Sequence, residues 1–259
     1  MEDKAARAPV YRRKVALTFS GGPSLQASAA SRAYILPAKE APTHPVPYWK
    51  RLAAGVLVAA TALFVLIASN IGAGDPLAVT DARAALWLNA HATPALTLLL
   101  LAVTHVHSTV PVCAYSIFMM VRLARRRQWH WAAGVFLAVP VGLAINVLLK
   151  LAFGRARPVL HDPVITLATY SFPSGHTAGA TLFYGVLFAY IGSRSRDTRV
   201  RAACIAAWLS LVSLVAFSRM YLGVHYLSDV LAAVAWSLAW LALCLIALHT
   251  LYVRRRPTG

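Results

Sequence analysis

From Leu52 to Asn70 the chain reads Leu-Ala-Ala-Gly-Val-Leu-Val-Ala-Ala-Thr-Ala-Leu-Phe-Val-Leu-Ile-Ala-Ser-Asn, without one charged side chain, behind Lys50 and Arg51. A helix of this length crosses the ~30 Å hydrocarbon core of a bilayer, where backbone groups must be bonded within the segment. Comparable apolar stretches follow at 94–121, 131–150, 176–192, 202–218 and 228–251. They predict an all-α fold, a bundle of six transmembrane helices occupying residues 48–253. Between the first two, residues 75–93 carry Asp81, Arg83, Trp87 and Asn89, which suits a short amphipathic helix lying at the interface. The 94–121 stretch holds Thr104-His105-Val106-His107-Ser108-Thr109 and Pro111. It reads either as one tilted helix or as an interfacial helix followed by a span beginning near His107, and both give one crossing.

Composition agrees with the runs. Hydrophobic residues make up 59% and charged residues 13% of the chain, with a mean hydropathy of +0.63, too apolar for a soluble globular domain. A net charge of +17 would suggest nucleic acid in a soluble protein. Here the basic residues sit in short clusters between apolar runs, the pattern of loops facing membrane lipids, so no nucleic-acid partner is expected. Cys113, Cys204 and Cys244 lie inside apolar runs without Cys-x-x-Cys spacing, which argues for packing over disulfides or thiolate metal sites. Residues 1–47 combine six prolines with scattered basic residues and read as a disordered basic tail without the apolar core of a secretory leader.

Charge also orients the spans. Arg122, Arg125, Arg126 and Arg127 follow the second run, Arg194, Arg196, Arg199 and Arg201 the fourth, and Arg254, Arg255 and Arg256 the sixth. With six crossings these clusters share one side with the N-terminal tail, and the positive-inside rule makes that side cytoplasmic, including the basic C-terminus 254–259. The cations left for the outer side are Arg83, Lys150, Arg155, Arg157 and Arg219. Four of them fall in blocks 150–158 and 218–229, against the rule.

Those blocks carry the chemistry. Lys150, Arg155 and Arg157 end the third run ahead of Pro158. Cations leaving an apolar helix either snorkel to the interface or meet an anion. Ser171-Phe172-Pro173-Ser174-Gly175-His176-Thr177 precedes the fourth run. It reads as an ordinary proline turn or as a helix start whose free N–H groups face an anion. Ser218-Arg219 and His225 with Asp229 follow the fifth run. On a helix, i,i+4 spacing places the carboxylate one turn from the imidazole, where it can hold one ring nitrogen and leave the other free. A satisfied interfacial histidine beside a helix N-terminal acid is the alternative. His105 and His107, spaced i,i+2 with no carboxylate cluster, suggest a structural role over a metal pair.

Taken together, Lys150-x6-Arg157-Pro158, Pro173-Ser174-Gly175-His176 and Ser218-Arg219-x5-His225-x3-Asp229 resemble the three-part signature of the type 2 phosphatidic acid phosphatase superfamily, whose core is shared with vanadium-dependent haloperoxidases. The resemblance implies His225 as a nucleophile forming a phosphohistidine, Asp229 as its orienting partner, and His176 as general acid and then base. It also implies a phosphate cradle of Lys150, Arg157, Arg219, Ser174 and Gly175, with no metal and no cofactor. Arg155, outside the minimal signature, is a candidate headgroup contact or a plain surface residue. Tyr170 and Phe172 suit either a lipid entry route or interfacial anchoring. The implied activity is hydrolysis of a lipid phosphate or diphosphate on the outer face of the bacterial cytoplasmic membrane, with undecaprenyl diphosphate, phosphatidylglycerol phosphate or phosphatidic acid as candidate substrates. The rival activities are transfer of the same phosphoryl group to an acceptor, vanadate-dependent peroxidation, and non-enzymatic lipid transport.

Overall fold

The structure is a computed structural model that describes residues 48–72, 74–160 and 167–254, and all regular elements among these residues are helical. The tail expected at 1–47 and the basic residues 255–259 lie outside the described residues. The first apolar run folds as α1 (Tyr48–Ala68). Then come α2 (Pro76–Ala90) and α3 (Pro94–Val106), each opening on a proline and bent against one another by 120°. Proline fits this first helical position because its missing N–H has no acceptor there. A break at His107 and Ser108 separates α3 from α4 (Thr109–Arg125), so the second apolar run is two helices, the later one starting just after His107.

The third run is a 25-residue helix, Trp129–Phe153, built from α5 (Trp129–Phe136), a π turn over Leu137–Val141, and α6 (Gly142–Phe153). Pro140 sits in the π turn, where the wider ladder accommodates a residue that lacks an N–H and crowds the preceding turn. Gly154 ends α6 at φ +57°, its N–H donating to Lys150 O at 3.0 Å. The left-handed conformation favours glycine and turns the chain sharply off the helix. The last three helices are α7 (Gly175–Arg194), α8 (Thr198–Tyr221) and α9 (Leu227–Arg254).

Among the described residues, four helices are long and apolar enough to cross a membrane: α1, the α5–α6 unit, α8 and α9; the bent α2–α3 pair would make five. The six expected crossings are not reproduced by that measure. α4 is short, at 17 residues, whereas for α7 the cause is packing. α7 has 20 residues, but Thr177 to Phe183 are all buried, enclosed by α8, α9, α6 and α4. A helix surrounded by other helices profits from small and polar residues that allow close approach, so its apolarity drops. The main core joins Val112, Leu123, Val139, Leu182, Val186 and Trp236 from four of these elements. α1 lies along α9.

Hydrogen bonds gather the end of α6, the start of α7, the end of α8 and the start of α9. Ser174 N donates to Asp229 O at 3.1 Å, tying α7 to α9, and Ser171 N donates to Arg155 O at 2.8 Å. Phe172 pins this loop: it is fully buried, with ring centroids 5.9 Å from Phe64 of α1 and 4.8 Å from Phe153 of α6.

Candidate active site

The polar residues that an apolar bundle must satisfy converge at these helix ends. His225 lies in the turn between α8 and α9, following Gly223 at φ +70°. Asp229 lies in the first turn of α9. The pair therefore does not share one helix as its spacing suggested. Contact is made across the helix start, with His225 Nδ1 at 3.3 Å from Asp229 Oδ2. Asp229 Oδ2 also accepts from Tyr226 N at 2.9 Å and from the Ser171 hydroxyl. The reach of an acid in the third helical position back to the N-cap amide is half of a capping box. It locks the carboxylate and the His225 turn together. A carboxylate accepting at Nδ1 selects the tautomer with the proton there and leaves the Nε2 lone pair open. That nitrogen faces Arg157, whose Nη1 is 3.5 Å away. His225 is almost wholly buried. Burial pushes its pKa down to about 4, against the opposing pull of Asp229 and with help from Lys150 and Arg219.

The cations surround this nitrogen. Lys150, in the last turn of α6, donates to Tyr170 O at 2.7 Å and Ser171 O at 3.3 Å. Arg157 donates to Thr169 O and Val224 O, both at 2.6 Å, and to Thr169 Oγ1 at 2.9 Å. Burial lowers its pKa, with Asp229 pulling the other way. Arg219, in the last turn of α8, is 1% exposed; its Nη1 donates to Thr104 Oγ1 at 3.1 Å, while its Nε is buried without a partner. Ion pairs among the described residues reach none of these three. Carbonyls and a hydroxyl take up N–H donors of Lys150 and Arg157 and leave the charge uncompensated. Three partly desolvated cations without a carboxylate are costly unless an anion joins them.

Ser174 caps α7, so Gly175 opens the helix and Pro173 precedes the cap. The first-turn N–H groups of Gly175, His176 and Thr177 have no acceptor within the helix. The Ser174 hydroxyl accepts from Thr177 Oγ1 at 3.1 Å. A Cβ placed on Gly175 would stand 3.9 Å from Lys150 Cε, which puts the lysine against the start of α7. His176 is half-buried and stands among Arg219, His225, Lys150 and His107. All eight residues of the implied catalytic and cradle set thus meet at one end of the bundle.

Arg155 behaves differently from the expectation of a headgroup contact. Its guanidinium is turned inward, on Asp229 Oδ1 at 2.6 Å and Asp81 Oδ2 at 2.8 Å, and lies over the Tyr226 ring at 4.4 Å. Burial works to lower its pKa, but the two carboxylates outweigh it and the pKa is raised. Burial likewise raises the Tyr226 phenol. Asp81, Ser171, Ser228 and Thr104 were not identifiable as site residues from motif spacing. A trace was present for Asp81, because an acid within an apolar helix of a chain with only 8 acidic residues needs a partner. His107 Nε2 meets Tyr184 OH of α7 at 2.8 Å, and His105 Nδ1 meets Leu101 O one turn back at 2.9 Å.

Residues 129–252 match the PAP2 superfamily model. The chain is 38% identical over 125 residues to a lipid A 1-phosphatase of Rhizobium johnstonii, covering 45% of this chain and 46% of the relative. It is 33% identical over 94 residues to phosphatidylglycerophosphatase B of Bacillus subtilis (34% and 43%). Over 118 residues it is 38% identical to a decaprenylphosphoryl-5-phosphoribose phosphatase of Mycobacterium tuberculosis (43% and 56%). The alignments span about half the length of these curated relatives. A transmembrane PAP2 type phosphatidylglycerolphosphate phosphatase from Bacillus subtilis, solved by crystallography, has the same fold, with a TM-score of 0.68 at 20% identity, covering 78% of this chain and 98% of that one. The apolar helices are those of an integral membrane protein, and residues 129–252, which hold all three blocks, are a domain of the PAP2 superfamily.

Proposed function

We propose that this protein hydrolyses a lipid phosphate or diphosphate at the membrane surface through a phosphohistidine on His225. The observation that carries the reading is the uncompensated charge of Lys150, Arg157 and Arg219 around the open Nε2 of a carboxylate-held histidine. A phosphoryl group supplies the missing anion, its oxygens taken by these cations, the Ser174 hydroxyl and the Gly175 N–H. The Nε2 lone pair attacks phosphorus in line, the P–O bond to the lipid breaks, and His176 gives its proton to the leaving oxygen. Asp229 stabilises the imidazolium-like ring. Water then attacks the phosphohistidine while His176 takes the water's proton; the P–N bond breaks and orthophosphate leaves. Side-chain cations do the charge neutralisation in this scheme, so no metal has a role in it. Six crossings follow if α4 and α7 join the four apolar spans. The positive-inside rule then puts the site on the outer face and both termini in the cytoplasm. The names of the relatives widen the substrate candidates to lipid A and polyprenyl phosphosugar phosphates, beside undecaprenyl diphosphate, phosphatidylglycerol phosphate and phosphatidic acid.

The test is orthophosphate release by purified protein across a panel of these lipids, with EDTA present, for the wild type and His225→Ala. Release by the wild type alone, with an acid-labile phosphoenzyme, supports the reading. Loss of activity with EDTA overturns the metal-free scheme, release only with an added acceptor makes the protein a phosphotransferase, and unchanged activity of His225→Ala removes the nucleophile.

A further inference from the structure

Among the described residues, Arg155 is the one cation of the site that has carboxylate partners, and it has two. Asp81, on α2, is fully buried, and both its oxygens are occupied. Oδ1 accepts from Ser228 N at 3.0 Å, and Oδ2 accepts from the Ser228 hydroxyl and from Arg155 Nη2 at 2.8 Å. Arg155 Nη1 donates to Ser228 Oγ at 2.7 Å and to Asp229 Oδ1 at 2.6 Å. The oxygens of Asp229 are divided between two tasks: Oδ1 belongs to Arg155, and Oδ2 faces His225 Nδ1. A planar guanidinium can fork across two carboxylates in a fixed geometry, which an ammonium cannot do.

We propose that Asp81 and Arg155 are positioning residues. Their bridge fixes the rotation of the Asp229 carboxylate so that Oδ2 stays on Nδ1 of His225, and it thereby draws α2, which precedes the 129–252 domain, into the reaction machinery. The inference rests on His225 being the nucleophile. Without Arg155 the Asp229 carboxylate is anchored through Oδ2 alone, by Tyr226 N and the Ser171 hydroxyl, and can pivot about that oxygen, so its aim at Nδ1 loosens and the Nε2–H tautomer, which cannot attack phosphorus, gains population. Asp81 acts one step back. It compensates the Arg155 charge and fixes Ser228, so that the guanidinium does not swing wholly onto Asp229. The charged and titratable groups facing His225 are Asp229 on α9, Lys150 on α6, Arg157 after α6, Arg219 on α8 and His176 on α7. None of them is altered by changing Arg155 or Asp81.

The test uses Arg155→Lys, which keeps the charge and loses the fork, and the isosteric Asp81→Asn. The tautomer of His225 is read by NMR of the full-length protein in detergent with labelled histidine, assigned against His225→Gln, in parallel with turnover of the lipid panel. The wild type is expected to hold the Nδ1–H form, and each variant to show a mixture. Turnover is expected to fall on the order of 10²-fold, as for small misplacements of reacting groups, with KM changed less than about threefold and the double variant no worse than the weaker single. A residue that served folding alone would lower the yield of folded protein and leave the tautomer unchanged. If Arg155→Lys does not accumulate, Asp81→Asn carries both readouts. An unchanged tautomer in a folded variant overturns the bridge, as does turnover within about twofold of the wild type. Absence of turnover in the wild type counts against the phosphatase reading alone, because the tautomer still decides the bridge.

Discussion

Substitution of Arg219 by methionine is expected to stabilise the resting protein and nearly abolish catalysis. Arg219 is 1% exposed, and among the described residues its Nε has no hydrogen-bond partner and its side chain makes one hydrogen bond, to Thr104 Oγ1 at 3.1 Å. Replacing a buried ionic group by an apolar one of similar volume is neutral or favourable by about 1–4 kcal/mol. Against this stands the charged hydrogen bond to Thr104, worth about 1.5–3 kcal/mol. The Thr104 hydroxyl is not orphaned, however, since Ser218 Oγ is 3.2 Å away. That places the loss at its lower end, about 1.5 kcal/mol, and against the middle of the gain, about 2.5 kcal/mol, it leaves about 1 kcal/mol, or roughly 2–4 °C in the unfolding midpoint of a bundle this size. On the proposed mechanism the same change removes a donor to the phosphoryl oxygens, a loss expected to cost about 2.7–4 kcal/mol in the barrier, 10²–10³-fold in kcat. Thermal unfolding in detergent, with and without orthovanadate as a phosphoryl mimic, separates the two effects. The anion should raise the wild-type midpoint, by about 2.7 kcal/mol of stability at 100 times its Kd, and should hardly move that of Arg219→Met. A variant several degrees less stable than the wild type, or equal stabilisation of both proteins by vanadate, refutes the claim that this cation is held in waiting for an anion.

Three further outcomes are expected. With its pKa pushed down to about 4 by burial, His225 stays neutral well below its ordinary range, so the acid limb of kcat/KM from the nucleophile should lie below pH 5.5; a limb at the unperturbed ~6.5 contradicts its desolvation. The sign for stability follows: the unfolded chain binds this proton more readily, so the contribution of His225 is present above about pH 6.5 and is lost as pH falls toward 4, which unfolding midpoints between those values will show. His176→Ala should slow turnover by about 10²–10⁴ and accumulate phosphoenzyme with a good leaving group, because water activation is lost while attack by His225 persists; retention assays that find no phosphoenzyme would reject its role in the second step. Gly223→Ala should cost about 1–3 kcal/mol, since φ is +70° and a Cβ would collide with Leu160 Cδ1; an unshifted melting curve argues against strain in the turn that carries His225.

How much of this was legible in the sequence depends on what kind of information each residue's role needs. Lys150, His176, Arg219 and Asp229 each sit at the end of an apolar run, and alternation of runs brings those ends together whatever the packing. The break at His107 was visible as one of two readings, since Ser108, Thr109 and Pro111 are helix-start residues. The helical relation assumed for His225 and Asp229 failed because Gly223 and the turn at 222–226 end α8 and delay α9 to Leu227, yet the spacing still brings the side chains together. Arg155 was misread for another reason. A sequence shows that a cation stands near an interface, but the choice between solvent and a buried carboxylate depends on tertiary placement of α2, which no local pattern encodes. α7 escaped the apolarity measure for the opposite reason, because its surroundings are protein.

Charge balance links the separate observations. Among the described residues, Asp81 and Asp229 face four cations, and the geometry assigns both carboxylates to Arg155, so two positive charges remain in excess before the proton proposed for His176 is counted. That excess equals the charge of a phosphate monoester dianion. It can exist in an apolar bundle because the donors of Lys150 and Arg157 are met by the carbonyls of Thr169, Tyr170, Ser171 and Val224, which satisfy hydrogen bonding while leaving the field intact. Had Asp229 paired with Lys150 or Arg157 instead, the attraction for an anion would weaken and the imidazole would lose its partner. Sequestering the carboxylates on Arg155 solves both problems at once: it keeps negative charge away from the phosphoryl position and turns one oxygen of Asp229 toward His225. A cation that contacts no substrate is, on this argument, what allows the other three to do so.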